Sequence, residues 1–306
     1  MAPRHIGLLA ALSAIWGGSY LLIKYALEDL SAPMIVWSRV AVAAVVLLVL
    51  IRTTMGSGAL RQVANELRAR PRSALLLGTL AVALPFTLIT LGELEVPSGL
   101  TAVLISPASL FVALFAPWID PSERIDRRQG VGMVLGLAGV ALVVGVESVH
   151  SLEEFLGALA MIGAAFFYAL SGFVVKGRYG SLAAVQTSWI SVTVAGLITL
   201  PVGIATTPGH TPTAGAIAAV VALGAVGTAI AFVIYYELIN GIGPARAALV
   251  SYLAPGVALF YGAIFLDEAV TVAAVVGLVL ILGGVAIASR PKRAPAKVPA
   301  PAAARA

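Results

Sequence analysis

Long apolar runs, broken by short segments rich in charge, glycine and proline, dominate this chain. A membrane-spanning helix needs about 20 consecutive, mostly apolar residues. Ten stretches qualify: about 6–27, 33–51, 73–92, 97–118, 129–147, 155–175, 182–205, 213–238, 244–266 and 270–289. The third and fourth, and the eighth and ninth, are joined by connections so short that each pair must form a tight helical hairpin. The pattern predicts an all-α integral membrane protein with ten transmembrane helices. The first stretch is too long for the apolar core of a signal peptide and shows no obvious cleavage site, so it reads as a retained helix. Residues 291–306, made of Pro, Ala, Lys and Arg with one Val, read as a disordered basic tail.

Composition narrows the function classes. Of 306 residues, 60% are hydrophobic and 11% charged, against roughly half and a quarter in soluble domains. The net charge of +5 does not point to nucleic acid, because the basic residues lie between apolar segments and in the tail, not on one face. With no cysteine, disulfides, thiolate metal sites and a Cys nucleophile are excluded. His5, His150 and His210 lie far apart without zinc-like spacing. No cofactor or metal is expected. A membrane enzyme would need a cluster of catalytic groups, and a channel a charged ring or pore loop; the apolar segments supply neither.

Charge also fixes an expected orientation. With the N-terminus in the cytoplasm, 17 of the 19 Lys and Arg residues fall in cytoplasmic regions, and the other two, Lys24 and Arg39, fall inside helices. The opposite loops hold no Lys or Arg; they carry Glu28, Asp29, Glu93, Glu95, Glu147, Glu153, Glu154, Asp267 and Glu268. The positive-inside rule therefore predicts a multi-pass plasma-membrane protein with both termini cytoplasmic. One missed helix would scramble this bias, so the bias also supports the count.

The chain repeats itself. GMVLGLAGVALV at 132–143 and GLVLILGGVAIA at 277–288 share seven of twelve positions at an offset of 145. Pro107 aligns with Pro255, and Glu123 with Glu268. At an offset of 152, Trp16 meets Tyr168, Ser19 meets Ser171, Lys24 meets Lys176 and Trp37 meets Trp189. Two halves follow, 1–147 and 148–290, of five helices each. An odd number of helices makes the second half enter the membrane from the opposite side. Such inverted repeats mark secondary transporters, whose substrate site lies mid-membrane between the halves.

The runs IWGGSYLLIK (15–24), PMIVWSRV (33–40), SPASL (106–110) and LDEAVTVAAVVGLVLILGGVAI (266–287) resemble the EamA-type family of the drug/metabolite transporter superfamily. The resemblance spans about residues 6–289, and within the family the chain is most similar to the YddG-type aromatic amino-acid exporters. It implies ten helices, a central cavity, alternating access, outward export from the bacterial inner membrane, and a single chain that suffices. The competing substrates are a nucleotide sugar, a phosphate ester or an organic cation. Arg39 aligns with Ser191, so the two halves are chemically unequal.

Arg39 is the leading site candidate. It lies about seven residues into the second helix, roughly 10 Å below the outer surface. An intramembrane charge costs about 2.5–3.5 kcal/mol on insertion scales and usually faces a cavity or a partner. It can hold a substrate carboxylate in a fork, or serve a structural ion pair. Lys24 can snorkel to the interface or pair with Glu28. Glu93 and Glu237, matched by a shared Glu-Leu step, are candidates for an ion pair or for proton coupling, although both are expected near an aqueous surface. Trp16, Tyr20, Trp37, Phe86, Tyr168, Trp189, Tyr235, Tyr236 and Tyr252 can line a cavity for a flat apolar or cationic ligand, or pack structurally. Pro85, Pro107 and Pro255 are candidates for kinks or gates. The expected cavity is bounded by the first to fourth and sixth to ninth helices, with the fifth and tenth peripheral.

Overall fold

A computed structural model describes residues 2–119, 127–147, 151–247 and 250–288, and every regular element in them is helical. Helix α1 is Pro3–Leu27, α2 is Ala32–Thr54 and α3 is Ser57–Ala69. Helix α4 is Pro71–Gly92, α5 comprises Ser98–Ile105 and Ala108–Ile119, and α6 is Arg127–Glu147. The second half repeats the series: α7 is Leu152–Tyr179, α8 is Ala184–Ala205 and α9 is Ala214–Ile242. Helix α10 comprises Pro244–Ala247 and Val250–Phe265, and α11 is Val272–Ala288. The ten spans match the ten apolar stretches. Seven are long and apolar enough to cross a membrane outright, and the other three are shorter apolar helices.

The starts are set by local chemistry. Ser31 accepts a hydrogen bond from the Met34 N–H at the start of α2, Ser151 from Glu154 at α7, and Thr213 from Ala216 at α9. These caps satisfy amides that the helix itself leaves free. Along the outer faces, Val134, Leu197 and Val279 are each more than 60% exposed, as expected of side chains solvated by lipid tails. Helix α3 was not foreseen. It is a short amphipathic helix that buries Ala59 and Val63, leaves Arg61 outside, and is tied to the second half by the Gln186 amide, which donates to the Ala59 carbonyl and to Gln62 at 3.1 Å. The basic tail after residue 290 lies outside the described residues, as does Glu123.

Glycine contacts reveal how the halves relate. Helices α6 and α11 pack so closely that a Cβ on Gly139 would stand 2.7 Å from the Gly277 carbonyl, and one on Gly284 would collide with the Gly132 carbonyl. Gly277 is Gly132 shifted by 145, and Gly284 is Gly139 shifted by 145. The two contacts are therefore one contact made twice, which is the signature of a two-fold axis. Because 132 meets 284 while 139 meets 277, the helices run antiparallel, and the axis lies across them. The same pairing recurs deeper inside: a Cβ on Gly78 would meet Val194 at 2.6 Å, and one on Gly224 would meet Val42 at 2.5 Å. Val194 is Val42 shifted by 152, and Gly224 is Gly78 shifted by 146. The halves are an inverted pair, with α6 and α11 peripheral.

Helices α4 and α9 each carry a wide π turn, Thr79–Ala83 and Ala225–Ile230, whose starts are again 146 residues apart. In that register Phe86 is the mate of Phe232, and the two rings touch edge to face at 5.9 Å. A residue in contact with its own mate sits on the axis. The register also corrects the sequence reading of Glu93 and Glu237 as mates. Glu93 aligns with Ile239 instead, and Glu237 with Leu91.

The protein thus has two polar ends. At the basic end, Arg178 donates to Ser73 at 2.7 Å and Arg70 to the Arg178 carbonyl at 3.2 Å. At the acidic end, Asp29 accepts from the Thr213 N–H at 2.5 Å and lies 2.7 Å from the His210 Nε2. The Thr213 N–H and His210 together hold the Asp29 carboxyl below its ordinary value of 3.8.

Candidate functional site

A cavity lies between the halves. Its walls come from α1, α2, α4 and α5 of the first half and α7, α9 and α10 of the second. The seventh span, α8, was expected to contribute but lines none of it.

Helix period explains which candidates reach it. Trp16, Tyr20 and Ile23 recur at helical spacing on one face of α1, and all three line the cavity with Ser19. Arg39 lines it from α2 and is only 3% exposed. Its Nε donates to the Thr228 hydroxyl at 3.2 Å, and its guanidinium carbon lies 3.9 Å from the Phe86 ring centre. Thr228 in turn donates to the Leu223 carbonyl at 2.8 Å within the π turn of α9. The hydroxyl, inside the π turn, thus links the Leu223 carbonyl to Arg39. Among the described residues no carboxylate lies within ion-pair distance of Arg39. Its fork is anchored by a neutral hydroxyl and a ring face.

The aromatic wall is continuous. Phe86 touches Phe232, and Phe232 touches Trp16 at 6.2 Å. Trp16 stacks on Tyr168 at 6.4 Å and meets Tyr235 at 5.1 Å. Tyr168 and Tyr235 both line the cavity. Tyr236 is fully buried behind Phe232. The sequence reading missed Phe232 and Thr228. The mate of Phe86 at offset 146 was the available signal for the first; a hydroxyl one turn before it was the only signal for the second.

Other candidates lie elsewhere. Residue 37 is about 200° from residue 39 around a helix, and Trp37 packs on Gly203 of α8 rather than in the cavity. Trp189, its mate, donates its Nε1 to the Ala44 carbonyl at 3.1 Å. Both tryptophans belong to the α2–α8 contact. The side chain of Tyr252 lies outside the described residues. Pro255 lines the cavity inside α10, and Pro107 stands at the break between the two segments of α5. Pro85 follows the π turn of α4; the extra residue of that turn absorbs the lost backbone bond.

The charged candidates part company. Glu237 forms an exposed ion pair with Arg4 at the basic end. Glu93 was expected near an aqueous surface from its place at a helix end; it is instead fully buried, with Lys24 of α1 on its backbone carbonyl and Met161 and Gly157 of α7 against the neighbouring Gly92. Lys24 does not pair with Glu28; its Nζ donates to the backbone carbonyl of Glu93 at 2.5 Å.

The model of the EamA-like transporter family matches this chain twice, over residues 5–145 and 155–290. The chain belongs to the EamA-like transporter family. It is a membrane transporter of small molecules, and no enzyme. Among its relatives, an uncharacterized transporter of Archaeoglobus fulgidus is 27% identical over 92% of this chain and 97% of its own length. A probable terminal-alkyne amino-acid exporter of Streptantibioticus cattleyicolor is 28% identical over 90% of each. The uncharacterized inner membrane transporter YedA of Escherichia coli is 27% identical over 84% of this chain and 81% of its own length. A solved crystal structure superposes with a TM-score of 0.69 at 19% identity, covering 94% of this chain and 98% of that one. That likeness shows the shared fold.

Proposed function

We propose that this EamA-like transporter exports amino acids, aromatic ones foremost, across the bacterial plasma membrane by alternating access. The observation that carries the reading is Arg39: a buried guanidinium with no carboxylate within ion-pair distance among the described residues, set in a cavity walled by Trp16, Tyr20, Phe86, Tyr168 and Tyr235. A cation kept in the membrane at a cost of some kcal/mol calls for a mobile anion. An α-carboxylate supplies one and matches the planar fork, while stacked rings favour a flat apolar side chain.

The probable amino-acid exporter among the relatives supports the substrate class. The asymmetry of the polar pair supports a single orientation of the substrate: the mates of Arg39 and Thr228 are Ser191 and Val82, which cannot hold a second carboxylate. Inverted halves around one central site are the architecture of alternating access. The charge bias supports cytoplasmic termini, and the relative named an inner membrane transporter supports the location. The residues that line the cavity all come from one chain, which supports a monomer as the working unit.

Counterflow in proteoliposomes tests the reading. Labelled phenylalanine should enter vesicles loaded with unlabelled phenylalanine or tryptophan, Arg39→Ala should abolish entry, and Arg39→Lys should restore only part of it. Exchange of another metabolite, with none of aromatic amino acids, refutes the substrate while leaving the fold.

A further inference from the structure

Glu93 is left unexplained by the cavity. It is fully buried, and neither oxygen of its carboxyl group has a partner at close hydrogen-bond distance, Thr101 being the nearest hydroxyl able to donate. A buried carboxylate without a partner costs several kcal/mol, so such a group is held as its neutral acid unless water or a cation reaches it. The groups around it come from several elements. The charges of Lys24 on α1 and Arg39 on α2 and the hydroxyl of Tyr20 on α1 act on it electrostatically, and Thr101 lies on α5 beside it. Glu268 faces it from the connection between α10 and α11. From α7, the packing against the neighbouring Gly92 is by Met161 and Gly157, which do not titrate.

Glu268 does visible work at this end. Its Oε1 accepts from the Ser98 N–H at 2.7 Å, and its Oε2 accepts from the Gly99 N–H at 2.9 Å and the Ser98 hydroxyl at 3.0 Å. It thereby joins the α10–α11 connection to the start of α5, one half to the other. The seat is shaped for it: a Cβ on Gly262 would collide with Oε2, and one on Gly99 would stand 3.4 Å away. An ionised carboxylate is what amides at a helix start favour. A second ionised carboxylate beside it is what they do not.

We propose that Glu93 is a proton-controlled latch on the acidic end of the cavity. With Glu93 protonated, Glu268 keeps its seat on Ser98 and Gly99 and the end stays shut. When Glu93 gives up its proton, the second carboxylate charge at this end repels Glu268; the seat loosens and the end opens. The proton is taken up from, and returned to, the water on that side, so the latch sets which way the transporter faces without requiring net proton flux. It concerns gating alone and stands whatever the substrate is.

The natural chain has no cysteine, so two can be added for spin labels. Leu94→Cys and Val270→Cys are exposed positions flanking the seal, one in each half. Inter-label distances in proteoliposomes should shift from a short to a long population as pH rises from about 5 to 9. Glu93→Gln should lose the shift and keep the short population at every pH, and Glu93→Asp should keep the shift with a displaced midpoint. A pH-independent distance in the parent, a shift that persists in Glu93→Gln, or opening at low pH would each overturn the proposal. None of these readings needs a transported substrate, so failure here is distinct from failure of the amino-acid reading.

Discussion

Thr228→Val is the sharpest probe of how Arg39 is held. The change keeps side-chain shape but removes the hydroxyl that accepts from Arg39 Nε at 3.2 Å and donates to Leu223 at 2.8 Å. Thr228 is fully buried, so water cannot replace it in place. A buried hydrogen bond to a charged donor is worth about 1.5–3 kcal/mol, a factor of about 10–150 in an equilibrium constant. If the bond pre-orients the guanidinium fork, the half-saturating concentration in counterflow should rise by about tenfold or more, while the amount of folded protein changes little. Thr228→Ser should recover most of the affinity, because it restores the oxygen and not the methyl group. The assay is phenylalanine counterflow across a concentration series. Unchanged half-saturation in the valine variant, or failure of serine to rescue, refutes the view that Thr228 positions Arg39.

Further predictions follow from the packing and the ends. Gly284→Leu forces a side chain against Gly132 and Gly136; overpacking of this kind costs about 1–3 kcal/mol or more, visible as a lower midpoint in detergent unfolding. Trp189→Phe should cost about 1 kcal/mol of stability through its lost bond to Ala44 and leave substrate affinity intact, whereas Trp16→Ala should weaken transport. The Asp29 carboxyl is lowered below 3.8 by the Thr213 N–H and His210. Its contribution to stability is present above that ordinary value and is lost as pH falls through the lowered one; acid unfolding of Asp29→Asn should lack this component.

Much of the fold was legible in the sequence because lipid imposes length and apolarity on each span. Even the inversion was visible, since five helices per half leave no other option. The site was legible only in part. Trp16 and Tyr20 share one face of α1, and the period of the helix brings both to the cavity. Trp37 and Arg39, two residues apart, cannot share a face, and the same period could have set Trp37 aside. Helix α3 escaped notice because five arginines between the second and third spans read as an orientation signal, masking the spacing of Ala59, Leu60, Val63 and Leu67. Glu93 escaped because a residue at the end of an apolar run is ordinarily wet. Its burial depends on how α1, α5 and α7 close over it, which no local pattern encodes. The register of α4 against α9 was misjudged by two residues, since paired Glu-Leu steps were a weaker anchor than the π turns and the Phe86–Phe232 contact.

The central claim is that Arg39 receives the carboxylate of an aromatic amino acid. Competition by close analogues tests it most directly. In exchange of labelled phenylalanine, unlabelled phenylalanine should compete strongly and phenethylamine, which lacks only the carboxylate, at least tenfold less well. In whatever residual activity Arg39→Lys retains, that preference should shrink. Equal competition by phenethylamine and phenylalanine in the parent protein would contradict the account, because the buried guanidinium would then be reading nothing on the substrate.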